Sequence, residues 1–210
     1  NGSTILEACK AASIDIPTLC YMKEINAIGA YRMCLVEVKG ARSLVAACVQ
    51  PVNEGMEIFT NTDKVLAARK MNLELVLSAH NKQCLSCVRS TTCELQKLAN
   101  EYGVDENYFG TDKKVFEIDD SSVSIIRDNS KCILCRRCVA ACDNQGISVI
   151  GANARGFDTA ITSPFEKKIQ EYSCISCGQC IVSCPTGALY EKDSTADVLA
   201  AINDPDKYVV

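Results

Sequence analysis

Apolar and polar positions alternate along this chain with two different periods, and the changes of period mark its elements. Thr4-Ile5-Leu6-Glu7 has the T-x-x-E form of a capping box ahead of an apolar stretch, so a helix is expected to start there and to end at Pro17. Leu35-Val36-Glu37-Val38 alternates like a half-buried strand, and Lys39-Gly40-Ala41 reads as the turn into a second strand over 44–47. Met56-Glu57-Ile58-Phe59-Thr60 is a third strand candidate. The window 65–79 carries Leu66, Leu73 and Leu77 at helical spacing, and 94–102 predicts a shorter helix stopped by Gly103. Residues 110–122 are charged and irregular, which suits a linker, whereas 123–126 and 188–190 are short apolar runs of strand type. From Asp197 onward the pattern reads as a helix, an Asn203-Asp204-Pro205-Asp206 turn and the first residues of a strand reaching Val210. The class is α+β.

Hydrophobic residues make up 48% and charged residues 23%, an ordinary globular balance. Aromatics are only 6% and Trp is absent, so the cores are built from small aliphatics or are held by something else. Cysteine supplies the candidate: there are 15. A disulfide framework fits poorly, because the count is odd, the thiols cluster at two-residue spacings and no secretory signal is visible. Metal thiolates fit better and imply a reducing compartment, with a cytoplasmic location expected. A net charge of −4 gives no basic footprint for nucleic acid. No apolar run approaches the roughly 18 residues of a membrane span. The chain opens at Asn1 rather than Met and stops abruptly at Val209-Val210, so it is expected to be part of a longer subunit.

The cysteines divide the chain into blocks: 1–64, 65–122, 123–192, and a tail over 193–210. The third block contains an internal repeat. Cys132-x2-Cys135-x2-Cys138-x3-Cys142 recurs 42 residues later as Cys174-x2-Cys177-x2-Cys180-x3-Cys184-Pro185. Two-residue spacing lets three sulfurs of a tight loop converge on one cubane, and the fourth thiolate must come from elsewhere. In two-cluster ferredoxins the last cysteine of each run ligates the other cluster. Cys132, Cys135, Cys138 and Cys184 are thereby assigned to one [4Fe–4S] cluster, and Cys174, Cys177, Cys180 and Cys142 to a second. Zinc prefers two C-x2-C pairs separated by a longer loop, so two runs of four favour clusters. Arg136 and Arg137 lie inside the first run, where their charge should favour the reduced cluster.

The second block offers His80-x3-Cys84-x2-Cys87-x5-Cys93, with His80 the single histidine of the chain. His80, Cys84, Cys87 and Cys93 are read as a third [4Fe–4S] site, a zinc site of three cysteines and one histidine being the alternative. A neutral imidazole removes one ligand charge and should raise the reduction potential. The first block holds Cys20, Cys34 and Cys48, compatible with three ligands of a [2Fe–2S] site. Cys9 is read as a buried face residue of the first helix.

This order of motifs resembles the N-terminal relay region of [FeFe]-hydrogenase catalytic subunits. It also resembles the relay regions of complex I's large peripheral subunit and of NAD-linked formate dehydrogenases. The resemblance covers essentially the whole chain. It implies a β-grasp, plant-type ferredoxin-like domain, a small helical histidine-ligated [4Fe–4S] domain and a bacterial two-[4Fe–4S] ferredoxin domain, with 193–210 leading into a catalytic domain beyond Val210. It places the fourth [2Fe–2S] position on Tyr31, where the family has cysteine. Either the cluster is lost there or tyrosinate takes part. No catalytic residue is expected in this portion, since the H-cluster would sit in the downstream domain. The function implied is electron relay between that centre and a ferredoxin, an NAD(P)H-oxidising subunit or the polyferredoxin subunits of a hydrogen-dependent carbon dioxide reductase, in an anaerobic hetero-oligomeric complex. A stand-alone iron–sulfur subunit of a diaphorase/hydrogenase complex and a formate dehydrogenase relay are the alternatives.

Overall fold

The computed structural model describes residues 2–105, 107–109 and 116–209. The first helix, α1 (Ile5–Ala11), starts as its sequence requires. The Thr4 hydroxyl accepts from the Glu7 N–H, and the Glu7 carboxylate accepts from the Thr4 N–H. It ends six residues before Pro17, however. Ser13 takes a left-handed φ of 61°, the Ser13 N–H donates to the Lys10 carbonyl, and the Ile14 N–H donates to the Cys9 carbonyl. That is a Schellman closure, so local backbone bonding rather than proline terminates the helix.

Three short strands follow: β1 (Leu35–Val38), β2 (Val45–Ala46) and β3 (Ile58–Phe59). They form an antiparallel sheet in the order β2-β1-β3, with Val36 opposite Val45 and Glu37 opposite Phe59. The sheet packs on α1 around a core that includes Ile5, Leu6, Cys9, Val36 and Ala47. Cys9 is buried there, as its helical position predicts.

α2 (Asp63–Ser78) is capped by the Thr62 hydroxyl, which accepts from the Val65 N–H. Its inward stripe runs Val65, Arg69, Leu73, Leu77, while Leu66 is exposed. The four-residue rhythm of that stripe puts Leu66 on the neighbouring, wetter face. Arg69 is 1% exposed. Its guanidinium donates to the Leu35 carbonyl at 2.7 Å and to the Tyr102 hydroxyl at 3.1 Å, tying β1 and the end of α3 (Glu94–Glu101) to α2.

Of the stretch expected to be a linker, residues 110–115 lie outside the described residues. The part beyond them is pinned. Asp119 and Arg127 exchange both backbone hydrogen bonds at 2.9 Å, and their side chains form a buried ion pair at 2.8 Å.

In the repeat block, β4 (Ile125–Arg127) pairs antiparallel with β7 (Leu189–Glu191), with Ile126 opposite Tyr190. The apolar runs that flank the two cysteine loops thus close on one another. α4 (Arg137–Asn144) and α5 (Gln179–Ser183) follow the loops and pack together. A hairpin that the sequence pattern did not reveal, β5 (Gly151–Asn153) and β6 (Ala160–Thr162), lies between the halves. α6 (Thr195–Ile202) buries none of its side chains. No strand forms over 207–209, and Val210 lies outside the described residues. Among the described residues no helix is long and apolar enough to cross a membrane.

Candidate metal centres

The two repeated loops turn in the same way. Leu134 and Arg136 are left-handed in the first (φ 60° each), and their counterparts Ser176 and Gly178 are left-handed in the second (φ 53° and 72°). These positive φ values, each one residue from a cysteine, curl the backbone of each loop around its thiols. The Leu134 N–H donates to the Cys132 sulfur at 3.4 Å. Arg136 and Gly178 are also the residues from which α4 and α5 start.

Each loop borders a small internal cavity. One is lined by Cys132, Cys135, Cys138 and Cys184, with Ile133, Ile150, Ile161 and Leu189 around them. The other is lined by Cys174, Cys177, Cys180 and Cys142, with Ile125, Ile147, Val149 and Ile169. Both therefore combine three sulfurs of one run with the last sulfur of the other. Each cavity thus offers four thiols, the ligand set that a [4Fe–4S] cluster takes.

Burial pushes the Cys132 and Cys135 thiols up to about 12 and Cys180 to about 11, with neighbouring sulfurs adding to the rise. Cys138 is raised in the same way. Thiols so placed release their protons together only against a compensating cation, as cluster iron provides.

His80 is buried just past the end of α2, and the Asn81 N–H beside it donates to the Ser130 carbonyl at 2.8 Å. Cys84 begins a single 3-10 turn, and Cys93 caps α3, its sulfur accepting from the Gln96 N–H at 3.5 Å. Burial raises the Cys93 thiol, and the nearby Cys87 and Cys84 sulfurs contribute to that rise. The three thiols thus share one neighbourhood at the mouth of the α2–α3 pair.

The first-block residues are divided between two cores. Cys34 and Cys48 sit in the α1–sheet core, their sulfurs hydrogen-bonded at 3.3 Å. That bond lowers the Cys34 thiol below its ordinary value and drives Cys48 up. Cys20 is buried in the other core, with Met33, Leu73, Ile133 and Cys135, and Tyr31 packs against that group. The Cys20 sulfur is near enough to Cys48 to raise it further.

Sequence reasoning missed the residues that hold the blocks together. Asn26 is 4% exposed, and its amide donates to the Cys20 carbonyl at 2.7 Å and the Cys135 carbonyl at 3.1 Å. Arg89 donates to the Ile181 carbonyl at 3.0 Å. Gly187 lies so close to the second block that a Cβ there would stand 2.5 Å from the Cys87 sulfur. Arg137, one of the two charges read from the sequence as favouring the reduced cluster, is buried and paired with Glu94. A glycine two residues after Cys184-Pro185 and a lone arginine on the Leu73–Leu77 stripe were the available signals.

Three family models match the chain in succession. They are a 2Fe-2S iron-sulfur cluster binding domain over residues 1–63, the NADH-ubiquinone oxidoreductase-G iron-sulfur binding region over 69–107, and a 4Fe-4S dicluster domain over 131–188. The chain is 43% identical over 215 aligned positions to the NADP-reducing hydrogenase subunit HndD of Solidesulfovibrio fructosivorans, covering 100% of this chain and 37% of that protein. It is 38% identical over 193 positions to the NADH-ubiquinone oxidoreductase 75 kDa subunit of Reclinomonas americana, covering 91% of this chain and 27% of that one. The three family matches are thus to iron–sulfur binding regions along most of the chain. The chain spans well under half the length of either relative. In structure, the chain is similar to a chain of an NAD+-reducing [NiFe]-hydrogenase in the H2-reduced state, with a TM-score of 0.85 and 29% identity, covering 91% of this chain and 81% of that chain.

Proposed function

We propose that this chain is an electron relay. Three [4Fe–4S] clusters would be held by Cys132, Cys135, Cys138 and Cys184, by Cys174, Cys177, Cys180 and Cys142, and by His80, Cys84, Cys87 and Cys93. The observation that carries this reading is the lining of the two cavities, each by three sulfurs of one run and the fourth of the other. When bound, the clusters supply one-electron redox chemistry. The protein's own part is to hold thiolates converged, donate backbone N–H groups to sulfur and exclude water with isoleucine-rich walls, which together set the potentials. Gly187 brings the His80 site against the turn after Cys184, and the Asn26 amide brings the first block against Cys135, so the blocks are arranged as consecutive steps.

In finer terms we read 1–64 as a β-grasp domain, 65–122 as the histidine-ligated domain, 123–192 as a two-cluster ferredoxin domain and 193–210 as the lead-in to a further domain. Cys20, Cys34 and Cys48 are the remaining [2Fe–2S] thiols, with Tyr31 at the fourth position. The whole subunit is proposed to serve hydrogen oxidation or formation in an oxygen-sensitive cytoplasmic complex, exchanging electrons with a ferredoxin, an NAD(P)H-linked or a polyferredoxin partner. The similarity to HndD along the whole chain favours this reading. A stand-alone subunit of a diaphorase/hydrogenase complex is the second reading, favoured by the 81% coverage of the [NiFe]-hydrogenase chain. The denatured mass of the subunit from its native source, with its iron and labile sulfide, tests both. A mass near 22.8 kDa supports the stand-alone subunit, a mass two to three times larger supports a fused catalytic domain, and absence of labile sulfide overturns the relay.

A further inference from the structure

The cubane assignments leave Cys9, Cys20, Cys34 and Cys48 unused, and two of these meet. The Cys34 and Cys48 sulfurs are hydrogen-bonded at 3.3 Å, and the residues are 3% and 1% exposed. The backbone holds them together. Cys34 directly precedes β1, and Cys48 stands one residue beyond the end of β2. The intervening Ala47 N–H donates to the Cys34 carbonyl at 3.0 Å, which extends the β1–β2 ladder to the pair itself.

The block matches a 2Fe-2S iron-sulfur cluster binding domain, yet its donors do not complete such a core. A [2Fe–2S] cluster takes four thiolates, and the fourth position here is the phenol of Tyr31. That ring packs against the core of Cys20, Leu73 and Ile133, whereas Cys34 and Cys48 belong to the α1–sheet core. The four positions are divided, and the two adjoining thiols are left to each other.

We propose that Cys34 and Cys48 form a reversible thiol–disulfide site, with hydrogen peroxide as its oxidant. The inference departs from the [2Fe–2S] reading of this block and is independent of the three cubanes. Disulfide sulfurs lie about 2.05 Å apart, so closure from 3.3 Å moves each by roughly 0.6 Å. A movement that small leaves the ladder in place. Burial admits only an oxidant near the size of water, which peroxide is. One sulfur, as thiolate, attacks a peroxide oxygen. The O–O bond breaks, the sulfur becomes a sulfenic acid, and the departing hydroxide takes the proton that the thiol gave up and leaves as water. The second thiolate then attacks that sulfur. The S–S bond forms, the S–O bond breaks, and the second thiol's proton leaves in a second water. The two sulfurs lose two electrons and peroxide gains them. A dithiol reductant reverses the step.

The experiment uses the full chain with its cubanes loaded under argon. It is given a small excess of hydrogen peroxide, denatured with N-ethylmaleimide, digested with trypsin and mapped by mass spectrometry. Lys39 and Arg42 lie between the two cysteines, so each falls in its own peptide. The expected result is loss of alkylation at both and a Cys34–Cys48 linked pair in most chains, absent before peroxide and removed by dithiothreitol. Full alkylation of Cys34 and Cys48 after peroxide overturns the proposal, and so does linkage of either to Cys9 or Cys20 instead. Iron and labile sulfide are measured on the same material. Iron in excess of the three cubanes, with a [2Fe–2S] EPR signal that Cys34→Ser abolishes, makes the pair iron ligands and also overturns it. A chain without cubane iron overturns the relay reading, while the peptide map still decides the thiol pair.

Discussion

Glu94 and Arg137 meet in a two-pronged ion pair, with Nη1 to Oε1 at 2.7 Å and Nη2 to Oε2 at 2.9 Å. Each residue directly neighbours cysteines of a different proposed cluster: Glu94 follows Cys93, and Arg137 precedes Cys138. The guanidinium side chain is 8% exposed and the carboxylate 45%. Removing the carboxylate strands a buried charge, while the half-open partner keeps the pair's own worth modest. Glu94→Gln is expected to destabilise the chain by about 2 kcal/mol, and Glu94→Gln combined with Arg137→Met should recover most of that. Denaturant unfolding of the two variants under argon checks it. Equal losses in both would show that the pair is not the cause.

Arg136 occupies a left-handed position with φ 60°, where its repeat counterpart is Gly178. A side chain there costs about 1 kcal/mol that glycine avoids. Arg136→Gly is therefore expected to stabilise the backbone by about that amount. It should also lower the potential of the cluster in its loop, since a positive charge is withdrawn. Paired unfolding and potentiometric titrations should move in opposite senses.

At Gly187 the second and third blocks come closest. An added Cβ would stand 2.5 Å from the Cys87 sulfur and 3.4 Å from the Val88 side chain. Cys87 is a proposed ligand and cannot yield without leaving its site. Gly187→Ala is expected to lose the four irons of the His80 site while the two repeat-block clusters stay loaded. Iron analysis and EPR of the purified variant would read this directly. Full iron content would mean that Cys87 is free to turn aside.

The Asp119 carboxyl is held below its ordinary value. Burial opposes this, but the Ser121 hydroxyl, the Ile169 and Ser121 N–H groups and the Arg127 guanidinium outweigh it. A depressed carboxylate contributes stability that is complete above its unfolded value, about 3.9, and is lost as pH falls through the folded one. Asp119→Asn is expected to cost about 3 kcal/mol at neutral pH. The gap to wild type should then narrow below about pH 4. Unfolding midpoints across that range test it, and a gap independent of pH would rule out the ionised pair as its source.

The elements that were legible in the sequence were those fixed by contacts close along the chain. The Thr4–Glu7 box, the Thr62-capped helix and the repeated cysteine loops all rest on bonds within a few residues. The hidden features depend on partners far away. Asn26 reads as an ordinary polar loop residue until Cys135, 109 positions on, is brought to it. Arg69 sits on an apolar stripe, and only the Leu35 carbonyl and the Tyr102 hydroxyl explain its burial. The β5–β6 hairpin was obscured by its composition and length: Gly-Ala-Asn has little strand preference, and Ile161-Thr162 opposite it is too short a run to stand out. The grouping of sulfurs was read by analogy with two-cluster ferredoxins, whereas nothing in the spacing revealed where Tyr31 would lie.

The exchange of the fourth cysteine between the repeated loops bears on how the molecule matures. The cavity that begins at Cys132 has its last sulfur at Cys184, so a chain emerging from the ribosome cannot finish that site until nearly all of the repeat block has been made. The other cavity has its remote sulfur, Cys142, in place first. On the proposed ligand assignment, iron loading would be a late event that both halves undergo together, and a chain cut between them would retain neither site whole.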